Sequence, residues 1–175
     1  MDIDRTDRRI LEALQANAAL SNAELAARVG LSPAPCWRRV RRLEAAGVIA
    51  RRVALLEPAA LGLSVTAYAN VSLENHHPDT VRQFDELIRD CPQVLECCSM
   101  SGSHDYLLKV VARDMSEYEA FLSGTLLPIP AVQSVNTSFV LKRKKYTTAL
   151  PVTAPAGSGE AASAGSGTQR RARRR

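Results

Sequence analysis

The chain has 175 residues, of which 46% are hydrophobic and 5% aromatic, and its formal net charge at pH 7 is +5. This length allows one or two globular domains, and the lack of an apolar run of about 18 residues excludes a membrane-spanning helix. The N-terminal sequence MDIDRTDRR is too charged for a secretory signal peptide, so we expect a cytoplasmic protein.

The charge is distributed unevenly along the chain. Residues 1–52 carry ten basic and six acidic side chains, whereas residues 53–141 carry four basic and eleven acidic ones. Residues 142–145 and the tail from Pro151 each add a net charge of +4. We therefore expect a basic head that attracts nucleic acid and an acidic second domain with a different role.

The first 30 residues predict two helices. The first runs from about Asp4 to Gln15, with an apolar stripe formed by Ile10, Leu11 and Leu14. The second begins with a capping box, Ser21 to Glu24, and Leu20 and Leu25 occupy the positions of a hydrophobic staple. It stops at Gly30, which tolerates the left-handed conformation that a sharp turn requires.

A third helix is predicted to begin with Ser32 as its N-cap and Pro33 in its first turn. Helical spacing gives it an inward stripe of Cys36, Val40 and Leu43. On the opposite face, the same spacing places Arg38, Arg41 and Arg42. Two short helices joined by a glycine turn, with arginines on the second, are typical of a DNA-reading helix-turn-helix.

The candidate DNA-binding residues follow from this motif. In a helix-turn-helix, the first residues of the recognition helix, here the third helix of the chain, reach base edges. The candidates for base reading are therefore Ser32, Ala34, Trp37 and Arg38. Because arginine also neutralises phosphate, we predict backbone contacts for Arg39, Arg41 and Arg42. Asn22 and Pro33 complete the candidate set. The alternative is a solvated basic face on an ordinary helical hairpin.

The rest of the chain predicts a β segment at Val48–Leu55, a linker, and then a domain with the order β-α-β-β-α-β. The predicted strands cover residues 65–73, 94–100, 105–112 and 132–141. Pro78 opens the first helix, whose stripe is Val81, Phe84, Leu87 and Ile88. A capping box at Ser116–Glu119 opens the second.

This order predicts a ferredoxin-like domain, with two helices on one face of an antiparallel sheet and a partner subunit covering the other. The fold class is therefore α+β, with a three-helix winged helix-turn-helix domain first. The predicted domains are residues 1–50 for the head, 51–63 for the β-segment linker, 64–147 for the second domain and 148–175 for a basic tail.

The four cysteines and the tail carry little information about chemistry. The spacing of Cys36, Cys91, Cys97 and Cys98 fits neither a disulfide framework nor a metal site, so we expect small buried side chains. The sequence PVTAPAGSGEAASAGSGTQ has the composition of a disordered linker. The closing RRARRR is either a phosphate-attracting arm or a neutral extension.

Several segments together resemble the leucine-responsive regulatory protein/AsnC family of transcription regulators. They are IDRTDRRILEALQANAALSNAELAARVGLSPAPCWRRVRRLEAAGVI, SGSHDYLLKV and MSEYEAFL, and the likeness covers about residues 2 to 147. The specific part is LSPxPCxxRVRRLExxGVI. The resemblance implies dimers formed through the second-domain sheets, further assembly into octamers, and a small effector, usually an amino acid, bound between second domains.

In this family the loop between the second and third strands is central to the effector pocket. Here, that resemblance implies an effector-binding set of Ser101, Gly102, Ser103, His104, Asp105 and Tyr106. Gly102 permits close approach of a ligand to the backbone, and Asp105 either takes an α-ammonium group or orients the loop. Ser103 and His104 depart from the acidic and aromatic residues frequent at those positions.

The functional prediction is a sequence-specific DNA-binding transcriptional regulator that responds to a small effector, with double-stranded DNA and a homo-oligomer as partners. The alternative is a nucleoid-type architectural protein with little effector response. An enzyme is disfavoured: only three histidines are present, and the chain shows no phosphate loop, nucleophile elbow or metal spacing. We accordingly expect no catalytic residue, cofactor or metal.

Overall fold

The computed structural model describes residues 2–152, so the predicted basic tail from residue 153 onward lies outside the described residues. These residues form two compact units, one reaching to Val53 and including the segment from Thr147, the other covering Ala54–Tyr146. Within residues 2–152, no helix is long and apolar enough to cross a membrane.

The head contains three helices: α1 (Arg5–Ala16), α2 (Asn22–Val29) and α3 (Pro33–Ala45). Its core is the predicted one, with Ile10, Leu14, Leu25, Cys36, Val40 and Leu43 buried together. The capping box of α2 is confirmed in both directions, because the Glu24 N–H donates to Ser21 Oγ and the Ser21 N–H donates to the Glu24 carboxylate. Gly30 ends α2 in the left-handed conformation, with φ 72°.

One local prediction for the head is wrong, and another holds only in part. Ser32 occupies the N-cap position of α3, but its side chain makes no capping hydrogen bond. The predicted β segment at 48–55 forms no strand in the described chain: Val53 and Leu55 are exposed, and no neighbouring strand pairs with them. β-Prone residues form a strand only where a partner ladder satisfies their backbone groups.

The second unit holds the predicted β-α-β-β-α-β order. Its elements are β1 (Val65–Leu73), α4 (Pro78–Arg89), β2 (Val94–Ser99), β3 (Tyr106–Ala112), α5 (Met115–Phe121) and β4 (Val132–Phe139). A 3-10 turn at Pro58–Leu61 precedes β1, and a π-helical turn at Leu122–Leu126 extends α5. The sheet order is β2-β3-β1-β4, and all three pairings are antiparallel.

Both helices pack on one face of this sheet. The shared core includes Ala67, Ala69, Val71, Phe84, Leu108 and Phe121. On β1, the alternation predicted from sequence is confirmed, because Ala67, Ala69 and Val71 are buried while Tyr68 between them is exposed. The side chains that alternate with the core residues form the second face of the sheet.

Three details of the second unit differ from prediction. The N-cap of α5 is Asp114, which accepts from the Glu117 N–H at 2.8 Å, and not Ser116. Leu87 lies outside the buried stripe of α4 and is 48% exposed. Only one of the four cysteines is buried, Cys36, whereas Cys97 is exposed because β2 is an edge strand of the sheet.

Candidate nucleic-acid interface and candidate effector loop

The first candidate site is the exposed surface of α3 in the head. Most predicted DNA-binding residues are exposed, namely Ser32, Pro33, Ala34, Trp37, Arg38, Arg41 and Arg42. Residues 34, 37, 38 and 41 fall at helical spacing and therefore share one face of α3. Cys36, Val40 and Leu43, buried on the other side, fix which way this face points.

A stacked pair lies at the middle of this surface. The Arg41 guanidinium lies 5.6 Å from the centroid of the Trp37 ring, within range of a cation–π interaction. Arg41 also pairs with Glu44 at 3.4 Å, and Glu44 in turn accepts from Arg52 at 3.1 Å. Arg38 takes part in none of the ion pairs formed within residues 2–152, so its five donors face solvent.

Asn22 joins the two helices of the motif. Its side-chain amide donates to the Pro33 carbonyl oxygen at 2.8 Å, which ties the start of α2 to the start of α3. The side chain is half-buried in this position. Asn22 thus fixes the angle at which α3 leaves the turn.

Arg39 and Arg42 have acidic partners on α1. Arg39 Nη1 lies 2.8 Å from Asp7 and 2.6 Å from Asp4, and Arg42 Nη2 lies 2.5 Å from the second oxygen of Asp7. Hydrogen bonding to Asp4 and then to Asp7 raises the pKa of Arg39. The predicted phosphate-contacting arginines of α3 therefore divide: Arg41 lies on the open surface, while Arg39 and Arg42 brace α3 against α1.

Asp7 is a functional candidate that sequence reasoning missed. Its side chain is fully buried, and besides the two arginines it accepts from the Asp4 N–H at 3.2 Å. Asp4 reciprocates by accepting from the Asp7 N–H at 2.8 Å, which completes a capping box at the start of α1. An aspartate at the N-cap and an acidic residue in the first turn predict a helix start at Asp4, but they do not show that Asp7 is buried against α3.

The second candidate site is the loop from Ser101 to Asp105 between β2 and β3. Gly102 has φ 153°, in the region that favours glycine, and an added Cβ would meet no atom within 4 Å. Ser101, Gly102 and Ser103 are exposed. Among the described residues, none of these three donates its backbone N–H to a backbone carbonyl, whereas the flanking Met100 N–H donates to the Asp105 carbonyl oxygen.

Asp105 holds the loop to the end of β1. One carboxylate oxygen accepts from the Leu73 N–H at 2.7 Å, and the other lies 2.7 Å from His76 Nε2. The Leu73 N–H, followed by the hydrogen bond to His76, lowers the pKa of Asp105. Both carboxylate oxygens of Asp105 therefore have partners that tie the loop to the end of β1 and to His76.

His104 and Tyr106 point to opposite faces of the sheet. His104 Nδ1 lies 3.2 Å from Ser72 Oγ, on the face away from the helices. Tyr106 is buried among core residues, with its ring centroid 4.6 Å from that of Phe84, and burial raises the pKa of its hydroxyl. The structure therefore brings residues 101–105 together in one loop, with residues 101–103 exposed and residues 104 and 105 half-buried, and places Tyr106 in the core.

No metal centre accompanies either site in the part of the chain that the structure describes. Within it, no three His, Cys, Asp or Glu side chains are arranged to hold a metal ion. Cys97 on the edge strand β2 is exposed as a residue, but partial burial of its sulfur, together with the charge of Asp85, raises its pKa to about 11. A thiol with that pKa is a poor nucleophile at neutral pH.

A basic helix-turn-helix followed by a ferredoxin-like domain with an exposed glycine loop defines a two-domain DNA-binding regulator. Sequence models agree: that of a winged helix-turn-helix DNA-binding domain matches residues 3–50, and that of the Lrp/AsnC ligand binding domain matches residues 66–150. The chain belongs to the Lrp/AsnC family of transcriptional regulators.

Characterised relatives align over nearly their whole length. The chain is 42% identical to the leucine-responsive regulatory protein of Escherichia coli K12, over 86% of this chain and 92% of that protein. It is 40% identical to the transcriptional regulator AzlB of Bacillus subtilis, over 86% of this chain and 96% of AzlB. Both relatives are transcription regulators, which agrees with the function predicted from the sequence.

Solved structures show the same architecture. A transcriptional regulator from Neisseria meningitidis, determined as a complex with L-Met, is 42% identical and superposes with a TM-score of 0.84, covering 86% of this chain and 97% of that one. An AsnC family regulator from Agrobacterium tumefaciens is also 42% identical, with a TM-score of 0.81, covering 85% and 97%.

Proposed function

We propose that the head reads an operator sequence through Ser32, Pro33, Ala34, Trp37, Arg38 and Arg41. The observation that carries this proposal is the exposed face of α3, where Arg38 has no ion-pair partner among the described residues. A free guanidinium at the second turn of a recognition helix can pair bidentately with guanine O6 and N7. Asn22 has a positioning role, because its amide is bound to the Pro33 carbonyl.

An operator selected from a random DNA pool by the full chain tests this assignment. Arg38→Ala is expected to weaken binding to that operator by about 1–3 kcal/mol, the range for removal of one base contact, and to relax the preference at one base pair. Arg28→Ala, which removes an exposed arginine at the end of α2, is the matched control. Equal losses from both variants, without a change in base preference, would rule out the assigned reading face.

We also propose that residues 101–104 bind the carboxylate of an amino-acid effector. The support is local: the exposed loop has backbone N–H groups without backbone acceptors in the described residues, and Gly102 leaves space above them. Backbone N–H groups clustered at a turn form anion-binding concavities. The 42% identical Neisseria meningitidis regulator, crystallised with L-Met, supports an amino acid as the ligand class.

A thermal-melt screen of the purified protein against the common amino acids tests the effector. A ligand at about 100 times its dissociation constant adds about 2.7 kcal/mol of stability, which raises the melting temperature by several degrees. A hit whose shift disappears in Ser103→Pro, which removes one loop N–H, would support the site. A flat panel, or a hit that Ser103→Pro leaves intact, would argue against it.

The second face of the sheet supports pairing with another copy of the chain. It carries Tyr68, which is 37% exposed, beside polar residues of β1 and β4. We propose that a second protomer covers this face, which also brings two effector loops together. Light scattering gives the mass in solution, and a monomer at micromolar concentration would contradict the proposal.

A further inference from the structure

Two aspartates at the start of α1, the N-cap Asp4 and Asp7, form a closed cluster with two arginines of α3, Arg39 and Arg42. We call this cluster the Asp4–Asp7 clamp. Arg39 and Arg42 are three residues apart on α3, and Asp4 and Asp7 are three apart at the start of α1, so each pair projects from one helix face. Every carboxylate–guanidinium distance in the clamp lies between 2.5 and 2.8 Å.

Burial separates this clamp from ordinary surface ion pairs. The Asp7 carboxylate is 0% exposed, whereas the Arg39 and Arg42 side chains are 31% and 49% exposed. A buried carboxylate has no water to solvate it, so it holds the cations beside it much more firmly than an exposed one would. No buried side-chain nitrogen or oxygen in residues 2–152 lacks a hydrogen-bond partner, so the clamp is satisfied internally.

We infer that Asp7 is a positioning residue for DNA binding: it retains Arg39 and Arg42 within the head, so that Arg38 and Arg41 carry the DNA contacts of α3. This inference rests on the proposed DNA-reading surface and assigns a role to the residues behind it. The two carboxylates of the clamp balance the charge of its two guanidinium groups, so the clamp contributes no net charge that would attract phosphate.

The clamp also sets the rotation of the recognition helix. Arg39 and Arg42 are held from successive turns of α3, and both bonds converge on one side chain of α1. Arg38 and Arg41 immediately precede them in sequence and are therefore turned by about 100° around the axis, toward the open surface. A helix held at two successive turns presents the same face to DNA in every encounter.

The salt dependence of binding separates a contacting arginine from a retained one. Removing one phosphate contact reduces the slope of log K against log salt concentration by about 0.9. Binding of the full chain to a random-sequence duplex is measured for the wild type, Arg41→Gln and Arg39→Gln. We expect Arg41→Gln to reduce the slope by about 0.9 and Arg39→Gln to leave it unchanged.

Asp7→Asn provides the reciprocal measurement. It keeps the shape of the side chain but removes the charge that holds Arg42, whose one carboxylate partner among the described residues is Asp7. Because the released Arg42 can then contact a phosphate, we expect the slope of log K against log salt concentration to become steeper by about 0.9. We also expect the preference for a selected operator over random DNA to decrease. A purely structural role would lower the melting temperature without changing the slope.

Each outcome decides one question. If Arg39→Gln lowers the slope as much as Arg41→Gln, or if folded Asp7→Asn leaves it unchanged, the inference is wrong. If Asp7→Asn does not fold, the comparison of Arg39→Gln with Arg41→Gln still tests the inference, because Asp7 is unchanged in both variants and continues to hold Arg42. If even the wild type shows no salt-dependent DNA binding, the proposed function fails and the clamp is only a structural element.

Discussion

The head and the second unit each use an aspartate to fix a functional element, but with different partners. Asp7 is fully buried and binds two arginines, whose charge is permanent at any physiological pH. Asp105 is 24% exposed and binds one backbone N–H and a histidine, which is charged only when protonated. Asp7 therefore holds α3 through buried ion pairs, whereas Asp105 holds the loop at residues 101–105 through contacts that are accessible to water.

This difference matches what each element has to do. A recognition helix needs one orientation, because a small error in angle moves every base contact at once. The proposed effector loop would have to accept a ligand, and ligand-binding loops belong to the less stable parts of a structure. Burial of Asp7 and the permanent charge of its arginine partners favour a fixed orientation of the helix. Partial exposure of Asp105 and the glycine at position 102 favour a loop that can adapt to a ligand.

The largest expected effect comes from removing the buried aspartate. Asp7→Ala leaves Arg39 and Arg42 without their buried acceptor and breaks the capping box of α1, which costs about 3 kcal/mol of unfolding free energy. The chain has one tryptophan, Trp37 on α3, so its fluorescence in urea reports unfolding of the head. Glu12→Ala, which removes an exposed charge from the same helix, is the control and should change stability by less than about 0.5 kcal/mol. Similar midpoints for both variants would contradict the firm hold attributed to Asp7.

Cysteine reactivity extends the comparison to one thiol in each unit. Cys36 is buried in the head, and Cys97 is exposed but has a pKa of about 11 against an ordinary 9.0. Compared with a thiol of pKa 9.0, Cys97 therefore has a thiolate fraction at pH 8 that is about 100-fold smaller. Because a thiolate of higher pKa is intrinsically more nucleophilic, we expect the alkylation rate to be only about tenfold lower. Peptide mapping after iodoacetamide labelling measures both rates, with glutathione as the reference thiol.

The pH profile of that labelling provides the decisive control. The Cys97 rate should still be rising at about pH 10, while Cys36 should stay unlabelled until the head unfolds. A Cys97 rate that levels off near pH 9 would show that the environment of the sheet edge does not hold the thiol neutral.

Sequence reasoning succeeded where structure is local. The capping box at Ser21, the turn at Gly30 and the alternation along β1 depend on residues close together in the chain, and all three are confirmed. The ferredoxin-like order follows from the same local signals. The loop at Gly102 was found through the family resemblance, with its positive φ as the physical reason for glycine.

Sequence reasoning failed where the deciding contact joins distant residues. Asp7 and Arg42 are 35 positions apart, so helical spacing places Arg42 on the outer face without showing that α1 carries its partner. The cysteines of β2 were predicted buried because nothing in the sequence shows that β2 is an edge strand. The role of Asp105 stayed open because Leu73 and His76 approach it only in the folded sheet.

A glycine substitution tests whether the loop is strained or merely open. Gly102 and Gly124 both have space for a Cβ, but only Gly102 has a positive φ, 153°. Gly102→Ala is therefore expected to destabilise the second unit by about 1 kcal/mol or more through backbone strain alone. Gly124→Ala, in a helical turn, should be neutral or slightly stabilising. Calorimetric melting of both variants measures the difference, and equal melting temperatures would show that the loop relaxes without cost.

The smallest expected effect concerns the charge of Asp105. Asp105→Asn keeps an oxygen for the Leu73 N–H but loses the attraction to His76, so the variant isolates the charge. Because the folded-state pKa of Asp105 is lowered below 3.8, its stabilising contribution is present above that pH and disappears as the pH falls through the folded pKa. For a partly exposed pair we expect a difference below about 1 kcal/mol at pH 6 and a smaller one near pH 2. Urea unfolding of the two proteins at both pH values measures this difference. A gap that persists at the lower pH would mean that Asp105 acts through its shape and not through its charge, and the contrast with Asp7 and its two arginines would then lose its electrostatic basis.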